Sequence, residues 1–190
     1  MNYIVLKNTV FKLDEHKLLP LRKRDILLIK LWRNEQINFL RQNKLLTDED
    51  QIAYYKKVVE ASFIQPQPQI ILFSYLFKNH CIGYGGLTNI DWFSKRAELS
   101  FLLDTQRVNN KELYDSDFSH FISLMKKVAF DALHLNRIFT ETFDIRDWHV
   151  SILEKNGFRL EGRMKEHFFI ENKFVDSLLH GFLRRYRDDI

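Results

Sequence analysis

The sequence predicts a mixed α/β domain built around one sheet. Three observations predict it. Strand-like and helix-like segments follow the order strand, two helices, three strands, helix, strand, helix, two strands. The segment Phe118 to Leu133 carries one helical stripe: Phe118, Phe121, Ile122, Met125, Val128, Ala129 and Leu133 share a face, and Lys126-Lys127 lie off it. The chain has 190 residues, 45% hydrophobic and 28% charged, which suits a single domain with a substantial core. Its 17 phenylalanines supply large buried areas to that core.

Each element has a local cause. Leu18 to Leu21 reads as a short strand, and Arg22-Lys23-Arg24-Asp25 opens a helix with Asp25 as its N-cap. Ile26, Ile29, Lys30 and Arg33 recur at helical spacing, and Trp32-Arg33-Asn34 lies near the helix end. Thr47 begins a second helix; Asp50 stands where a capping box wants Glu or Gln, so the box reads as imperfect. Ile52, Tyr55, Val58 and Val59 continue that helix, and Gln65-Pro66-Gln67-Pro68-Gln69 ends it as a loop. Ile70 to Phe77 and Cys81 to Asn89 read as two strands joined by a turn at Lys78-Asn79-His80, the second broken by Gly83, Gly85 and Gly86. Arg96 to Leu103 alternates and then turns wholly apolar, as a central strand does. After the long helix come a strand at Ile138 to Phe143 and a helix from Asp147 to Asn156, closed by Gly157 at its C′ position. Two final strands, Arg159 to Ile170 and Phe174 to Leu183, are joined by Glu171-Asn172-Lys173. The chain shows no internal repeat.

Composition narrows the function classes. The net charge is +4, but 29 basic residues are interspersed with 25 acids. The densest cluster, Arg184-Arg185-Tyr186-Arg187, is followed by Asp188-Asp189 and reads as a solvated tail rather than a nucleic-acid face. No apolar run approaches the roughly 20 residues of a membrane span, and the first residues lack a secretory pattern, so the expected setting is cytoplasmic. The lone Cys81 excludes an internal disulfide and a cysteine-rich zinc cluster, and no metal is expected. Cys81 itself reads as a small buried hydrophobe. His167 and His180 lie in strands without metal-ligand spacing and read as structural.

Several local sequences, taken in order, resemble the GNAT superfamily of N-acyltransferases. Leu19-Pro20-Leu21-Arg22, Asp25 and Trp32-Arg33-Asn34 resemble the opening of GNAT enzymes acting on ribosomal-protein termini and on nucleotide-linked amino sugars. Ile82-Gly83-Tyr84-Gly85-Gly86-Leu87 and Ala97-Glu98-Leu99-Ser100-Phe101 resemble the family's third and fourth strands. Ser151-Ile152-Leu153-Glu154-Lys155-Asn156-Gly157-Phe158, then Glu161-Gly162-Arg163, resembles its fourth helix and sixth strand. Val175-Asp176-Ser177 with His180-Gly181 resembles the closing strand, so the resemblance covers nearly the whole chain. It implies a mostly antiparallel twisted sheet of about six to seven strands with about four helices, splayed between strands 4 and 5 of the family's count. It also implies acetyl-CoA as cofactor and direct attack of a primary amine on the thioester. The expected partner is a small-molecule amine, such as an amino sugar; acetylation of a protein N-terminus is the enzyme alternative. A homodimer is compatible with the family, and neither nucleic acid nor membrane is an expected partner.

The phosphate loop departs from the family pattern of Gln/Arg-x-x-Gly-x-Gly/Ala. Residues 104–117 contain no glycine, and counting back from the helix puts Tyr114 to Phe118 in the loop with Asp115 and Asp117 at the phosphate positions. In one reading Arg107, Asn109, Asn110 and Lys111 bind the cofactor instead, and Ser116 or Asp117 caps the helix. In the other the cofactor site has decayed and the domain is a catalytically silent binding module. The resemblance places Glu98 as a proton-relaying acid, equally readable as a solvent-facing or structural glutamate, and puts His149 near the expected sulfur, where it is the candidate substitute for a tyrosine acid that Leu153 replaces or else a helix-surface or packed histidine. It places Arg146 on the pantetheine arm and the backbone of Leu102, Leu103 and Asp104 at the splay. Trp32, Arg33, Asn34 and Tyr84 are the substrate-side candidates, with Trp32 equally readable as a packing anchor, and Trp148 reads as core.

Overall fold

The structure, a computed structural model, describes residues 1–189, with side chains to Arg187. Eight strands form one sheet in the order β1-β2-β3-β4-β5-β6-β8-β7. They are β1 (Phe11–Leu13), β2 (His16–Pro20), β3 (Ile71–Phe77), β4 (His80–Asp91), β5 (Arg96–Leu103), β6 (Arg137–Phe143), β7 (Arg159–Ile170) and β8 (Lys173–Leu183). Every neighbouring pair is antiparallel except β5 and β6, which run parallel. The short β1 adds an edge strand beyond those read from the sequence.

The helices are α1 (Ile26–Glu35), α2 (Asp48–Tyr54), α3 (Glu60–Phe63), α4 (Thr105–Val108), α5 (Lys111–Lys126) and α6 (Asp147–Lys155). A π-helical stretch, Tyr55–Val59, joins α2 to α3, and another, Lys127–Ala132, continues α5. The two sheet faces take different helices. On β4 and β5, Tyr84 lies opposite Leu102 and Gly85 opposite Phe101, so these pairs face opposite ways. Arg33 of α1 donates to the Tyr84 hydroxyl, whereas the Phe101 ring stacks on Phe118 of α5 at 4.5 Å. Thus α1 covers one face and α5 the other, with α6 beside α5, where His149 stacks on Phe118 at 4.4 Å.

Local signals acted as the sequence suggests at several joints. Lys78 and Asn79 (φ 46° and 70°) make the tight β3–β4 turn, and Gly157 (φ 83°) terminates α6. At Thr47 the capping box is complete: Thr47 Oγ1 accepts from Asp50 N and Asp50 Oδ2 accepts from Thr47 N, so aspartate fulfils the role expected of Glu or Gln. Asp25 differs from its expected role. It makes no side-chain cap; buried, it accepts from Arg22 Nε (2.6 Å) and Ser74 Oγ (2.5 Å), tying the β2 exit to β3. The glycines do not break β4, which is continuous. They allow close approach instead. A Cβ on Gly85 would overlap Ser100 O and come within 2.7 Å of the Phe121 ring.

The largest departure is the start of α5. The helix begins at Lys111, capped by Asn110, whose Oδ1 accepts from Leu113 N (3.0 Å). Residues 104–117, read from the sequence as a loop, are therefore mostly helical, and neither Ser116 nor Asp117 is a cap. Asp104 caps the short α4 instead. Asp117 is buried and accepts from Arg107 Nε (2.6 Å) and Nη2 (3.0 Å) and lies 3.1 Å from His16 Nε2. Burial alone would raise its pKa, but the hydrogen bonds from His16 and Arg107 more than offset this and hold it below the usual carboxylate range. Its carbonyl accepts from Tyr75 Oη (2.8 Å). One residue thus joins α5 to β2, β3 and α4.

Three smaller corrections follow from burial. Cys81 is half-buried, and burial pushes its thiol up to about 12, so it is a packing residue without thiolate character. Trp148 is exposed rather than core. The C-terminal Arg184–Asp189 turn is not simply solvated, since Tyr186 packs edge-on against Phe182 of the core.

Two substitutions test this frame. Gly85→Ala should lower stability by about 1–3 kcal/mol, the usual penalty for overpacking, in urea unfolding. Asp117→Ala leaves Arg107 facing a buried site without its partner and should lower stability by about 3 kcal/mol in the same measurement, with the helical circular dichroism retained.

Candidate active site

The parallel ladder between β5 and β6 runs only from Arg96↔Arg137 to Glu98↔Phe139, although β5 continues to Leu103 and β6 to Phe143. Beyond Glu98 the strands part, and a cleft of about 250 Å³ passes between them. Backbone groups along a strand alternate sides. Asp104 N donates to Ile82 O of β4, so Leu102 and Ser100 also turn toward β4, and Leu99, Phe101 and Leu103 turn toward the opening. Leu103 O accepts from Gln36 Nε2 at 2.8 Å. The last rung of the ladder takes the Leu99 N–H, so the Leu99 C=O and the N–H and C=O of Phe101 are the groups with no strand opposite them.

That geometry corrects the backbone assignment. Leu102 and Asp104 are committed to β4, Leu103 O to Gln36, and the Asp104 carbonyl to the amides of Arg107 and Val108. The edge able to pair with the amides of a pantetheine arm lies at Leu99 and Phe101. The residues along the opening therefore fit the extended part of acetyl-CoA. At the phosphate end Arg107 is held by Asp117 and Asn110 by its capping role, whereas Asn109 and Lys111 are exposed. Lys111 Nζ lies 5.5 Å from the centre of the Trp148 ring, and Arg146 lines the cleft. Lys111 and Arg146 are the basic side chains that would meet the phosphates.

On the α5 side of the opening three groups form a chain. Arg146 Nη2 donates to Tyr114 Oη (3.0 Å), and Tyr114 Oη lies 2.6 Å from His149 Nδ1. An arginine can only donate, so the phenolic proton is directed at Nδ1, and His149 carries its own proton on Nε2. Burial, reinforced by the charge of Arg146, pushes the His149 pKa well below its ordinary value. The imidazolium acid expected from the sequence is therefore unavailable; His149 is a neutral donor through Nε2. Burial raises the Tyr114 pKa against the opposing charge of Arg146, so the phenol stays protonated.

On the α1 side two carboxylates face each other across the opening. Glu98 Oε2 accepts from Asn89 Nδ2 (2.7 Å), which a bulge with φ 48° at Asn89 aims at it. Glu141 of β6 accepts from Ser177 Oγ (2.9 Å). Arg41 Nη2 lies between them, 2.8 Å from Glu98 Oε1 and 3.4 Å from Glu141 Oε2. Neither Arg41 nor Glu141 was singled out from the sequence. The alternation Thr140-Glu141-Thr142 places an acid on the face of Glu98 and could have flagged it; Arg41 lies in an irregular segment without a local signal.

The substrate-side candidates divide. Trp32 is buried in the core and cannot touch a substrate. Asn34 pins the loop after α1: its Nδ2 donates to Leu46 O (2.9 Å) and its Oδ1 accepts from Leu46 N (2.9 Å) and Gln42 Nε2 (3.1 Å). Arg33 lines the cleft but is engaged with Tyr84 and Gln42. Tyr84 is nearly buried beneath it. His180 is fully buried in β8, in line with its structural reading, whereas His167 is partly exposed, 3.7 Å from Glu141 Oε1. Among the described residues no helix is long and apolar enough to cross a membrane, and no three His, Cys, Asp or Glu side chains are grouped as a metal site.

Known proteins share this fold. The acetyltransferase (GNAT) domain family matches residues 18–179. A spermidine N-acetyltransferase from Vibrio cholerae in complex with CoA and spermine superposes with a TM-score of 0.78 at 18% identity, over 91% of this chain and 98% of that one. A chimera of that enzyme with hSSAT gives 0.78 at 18% identity over 93% and 99%. A dodecameric structure of the Vibrio cholerae enzyme gives 0.74 at 20% identity over 92% and 97%. At these identities the solved structures speak for the fold, and the family match speaks for membership. The chain belongs to the GNAT acetyltransferase family and is an N-acetyltransferase with acetyl-CoA as its cofactor.

Proposed function

We propose that the acceptor is a primary amine on a small cationic molecule of the polyamine class, bound at the α1-side mouth of the cleft. The observation that carries this reading is the pair Glu98 and Glu141 facing each other across the opening. Two carboxylates attract an ammonium group and repel a diphosphate, which argues against a nucleotide-linked amino sugar. Arg41 is paired to both acids, and Arg33 keeps its charge beside Tyr84 and Gln42, so the acids and arginines of this face balance and it is the local position of the two carboxylates that favours an ammonium group. The spermidine enzymes of like fold support the same acceptor class.

The chemistry needs few groups. Acetyl-CoA supplies the activated acyl carbon and a thiolate leaving group. The chain must first take a proton from the ammonium, and Glu98, on the central strand, is the acceptor of that proton in this reading. Glu141 holds a second positive charge of the acceptor. On the other side of the sheet His149 offers Nε2–H as a hydrogen-bond donor, held in that tautomer by Tyr114. The Leu99 carbonyl and the peptide N–H and C=O of Phe101 hold the extended arm.

Calorimetric titration with acetyl-CoA and CoA, followed by an acceptor screen, tests the reading. Turnover should appear with spermidine or spermine and not with nucleotide-linked amino sugars; absence of acetyl-CoA binding at millimolar concentration would overturn it. Glu98→Gln should lower kcat by about a hundredfold or more, within the range for loss of a general base, and leave acetyl-CoA affinity intact. Glu141→Gln should mainly raise the acceptor KM.

His149 gives a separate test by stability. A histidine kept neutral by the fold has a depressed folded pKa. Below about pH 6.5 the unfolded chain takes up a proton that the folded chain refuses, so this share of stability is full above that pH and declines below it by up to ~1.4 kcal/mol per pH unit. His149→Gln removes that share. The stability gap between wild type and variant, read by urea unfolding, should narrow from pH 7 to pH 5.

A further inference from the structure

Arg41 stands where the proposed acceptor would bring its charge. Its guanidinium contacts both carboxylates and donates as well to the Glu141 carbonyl (3.2 Å). Glu98 and Glu141 are mostly enclosed, with 12% and 18% of their side chains exposed, but Arg41 is 41% exposed and enters from solvent. The acids are thus fixed parts of the sheet, and their counter-charge is a removable arm.

The segment carrying that arm crosses the opening as a strap. At its start Gln36 bonds to Leu103 O, and Asn38 Nδ2 donates to Glu171 Oε1 (2.6 Å) in the β7–β8 turn. The Phe39 ring lies 5.4 Å from the Arg146 guanidinium. At its end Asn34 and Arg33 hold Gln42 and Leu46. Arg41 lies between these anchors, so its backbone is held, while its half-exposed side chain is held only by the contacts of its guanidinium with Glu98 and Glu141.

We infer that Arg41 is an internal competitor for the acceptor site. Its guanidinium bridges Glu98 and Glu141 and offsets one of their two charges when no amine is bound, and a substrate must bring enough positive charge to displace it. This rests on the acceptor reading above and adds a specificity rule to it. A dicationic amine replaces both contacts of Arg41, whereas a monoamine replaces one and leaves the guanidinium in place. The opposing charges also keep the empty cleft from holding two bare carboxylates against each other, an arrangement that disfavours both ionised forms. Partly exposed ion pairs are individually weak, so displacement is within reach of substrate binding.

Kinetics with spermidine and with a monoamine of similar length, on wild type, Arg41→Ala and Arg41→Lys, test the inference. In Arg41→Ala the spermidine KM should fall by about three- to tenfold, the scale of one or two exposed ion pairs, with the acetyl-CoA KM unchanged. The gain should be smaller for the monoamine, and Arg41→Lys should stay near wild type. Low-millimolar guanidinium chloride should compete with spermidine in Arg41→Ala and not in wild type, because it refills the vacated place. An unchanged or raised spermidine KM in Arg41→Ala, without guanidinium competition, would overturn the inference. If no amine is acetylated by either protein, the acceptor reading fails, and calorimetric titration with spermine still decides the role of Arg41: tighter binding by Arg41→Ala supports it, and equal or weaker binding overturns it.

Discussion

The parallel ladder of β5 and β6 stops after three pairs, and the site depends on that interruption. Had it continued, the Leu99 C=O and the N–H and C=O of Phe101 would be bonded to β6, leaving no gap. A backbone group without a strand partner needs another partner, because leaving it bare in an enclosed place costs free energy. At the inner end the protein provides one, Gln36 on Leu103 O. Farther out the opening is left for an extended ligand with amides of its own. The same parting sets Glu98 and Glu141 on opposite banks.

What keeps the strands in position is a buried electrostatic joint on the far side of α5. Asp117 is reached by Arg107 from α4 and by His16 from β2, and its carbonyl by Tyr75 from β3. The joint holds the extended first turns of α5 down against the sheet, so Tyr114 comes within hydrogen-bonding distance of His149 and Arg146. A glycine-rich loop would place bare amides at this point. Here helix and side chains fill it, and the exposed Lys111 stands at its start. The change of loop chemistry and the appearance of a buried tyrosine are therefore one event in the fold.

Much of the fold is legible in the sequence because its signals are local. The Lys78-Asn79 turn, the limits of β5, the end of α6 at Gly157 and the interrupted pairing implied by the family resemblance all depend on a few adjacent residues or on their order. The start of α5 is not legible for a physical reason. Asp115, Ser116 and Asp117 look like N-cap residues, and only the partners of Asp117, 10 and 101 residues away, reveal that its charge is satisfied in the interior. The site divides the same way. Glu98 is visible from strand position, but Arg41 reaches it across 57 residues and Glu141 across 100. Trp32, Arg33 and Asn34 stood out as chemistry, and their contacts turn them into a core anchor and the clamp of a loop. A motif shows that residues matter without showing whether they touch a substrate or hold what does.

The two faces of β5 explain why one opening can serve two incompatible tasks. Side chains alternate, so Glu98 belongs to the α1 face, while Phe101 belongs to the α5 face with Phe118 and His149. In the proposed mechanism, taking a proton from an ammonium group calls for negative charge near solvent, which the α1 face has in Glu98 and Glu141. Donating a hydrogen bond to a sulfur leaving group calls for a neutral donor away from competing water, which the α5 face has in His149, buried, deprotonated at Nδ1 and supported by Tyr114. The sheet is the insulating layer between these environments, and the gap beyond Glu98 is the one place where a thioester can be in contact with both. A neutral residue in place of Glu98 would leave Arg41 with one carboxylate. The alternation of a single strand thus assigns each chemical role to the face whose solvent and charge can sustain it.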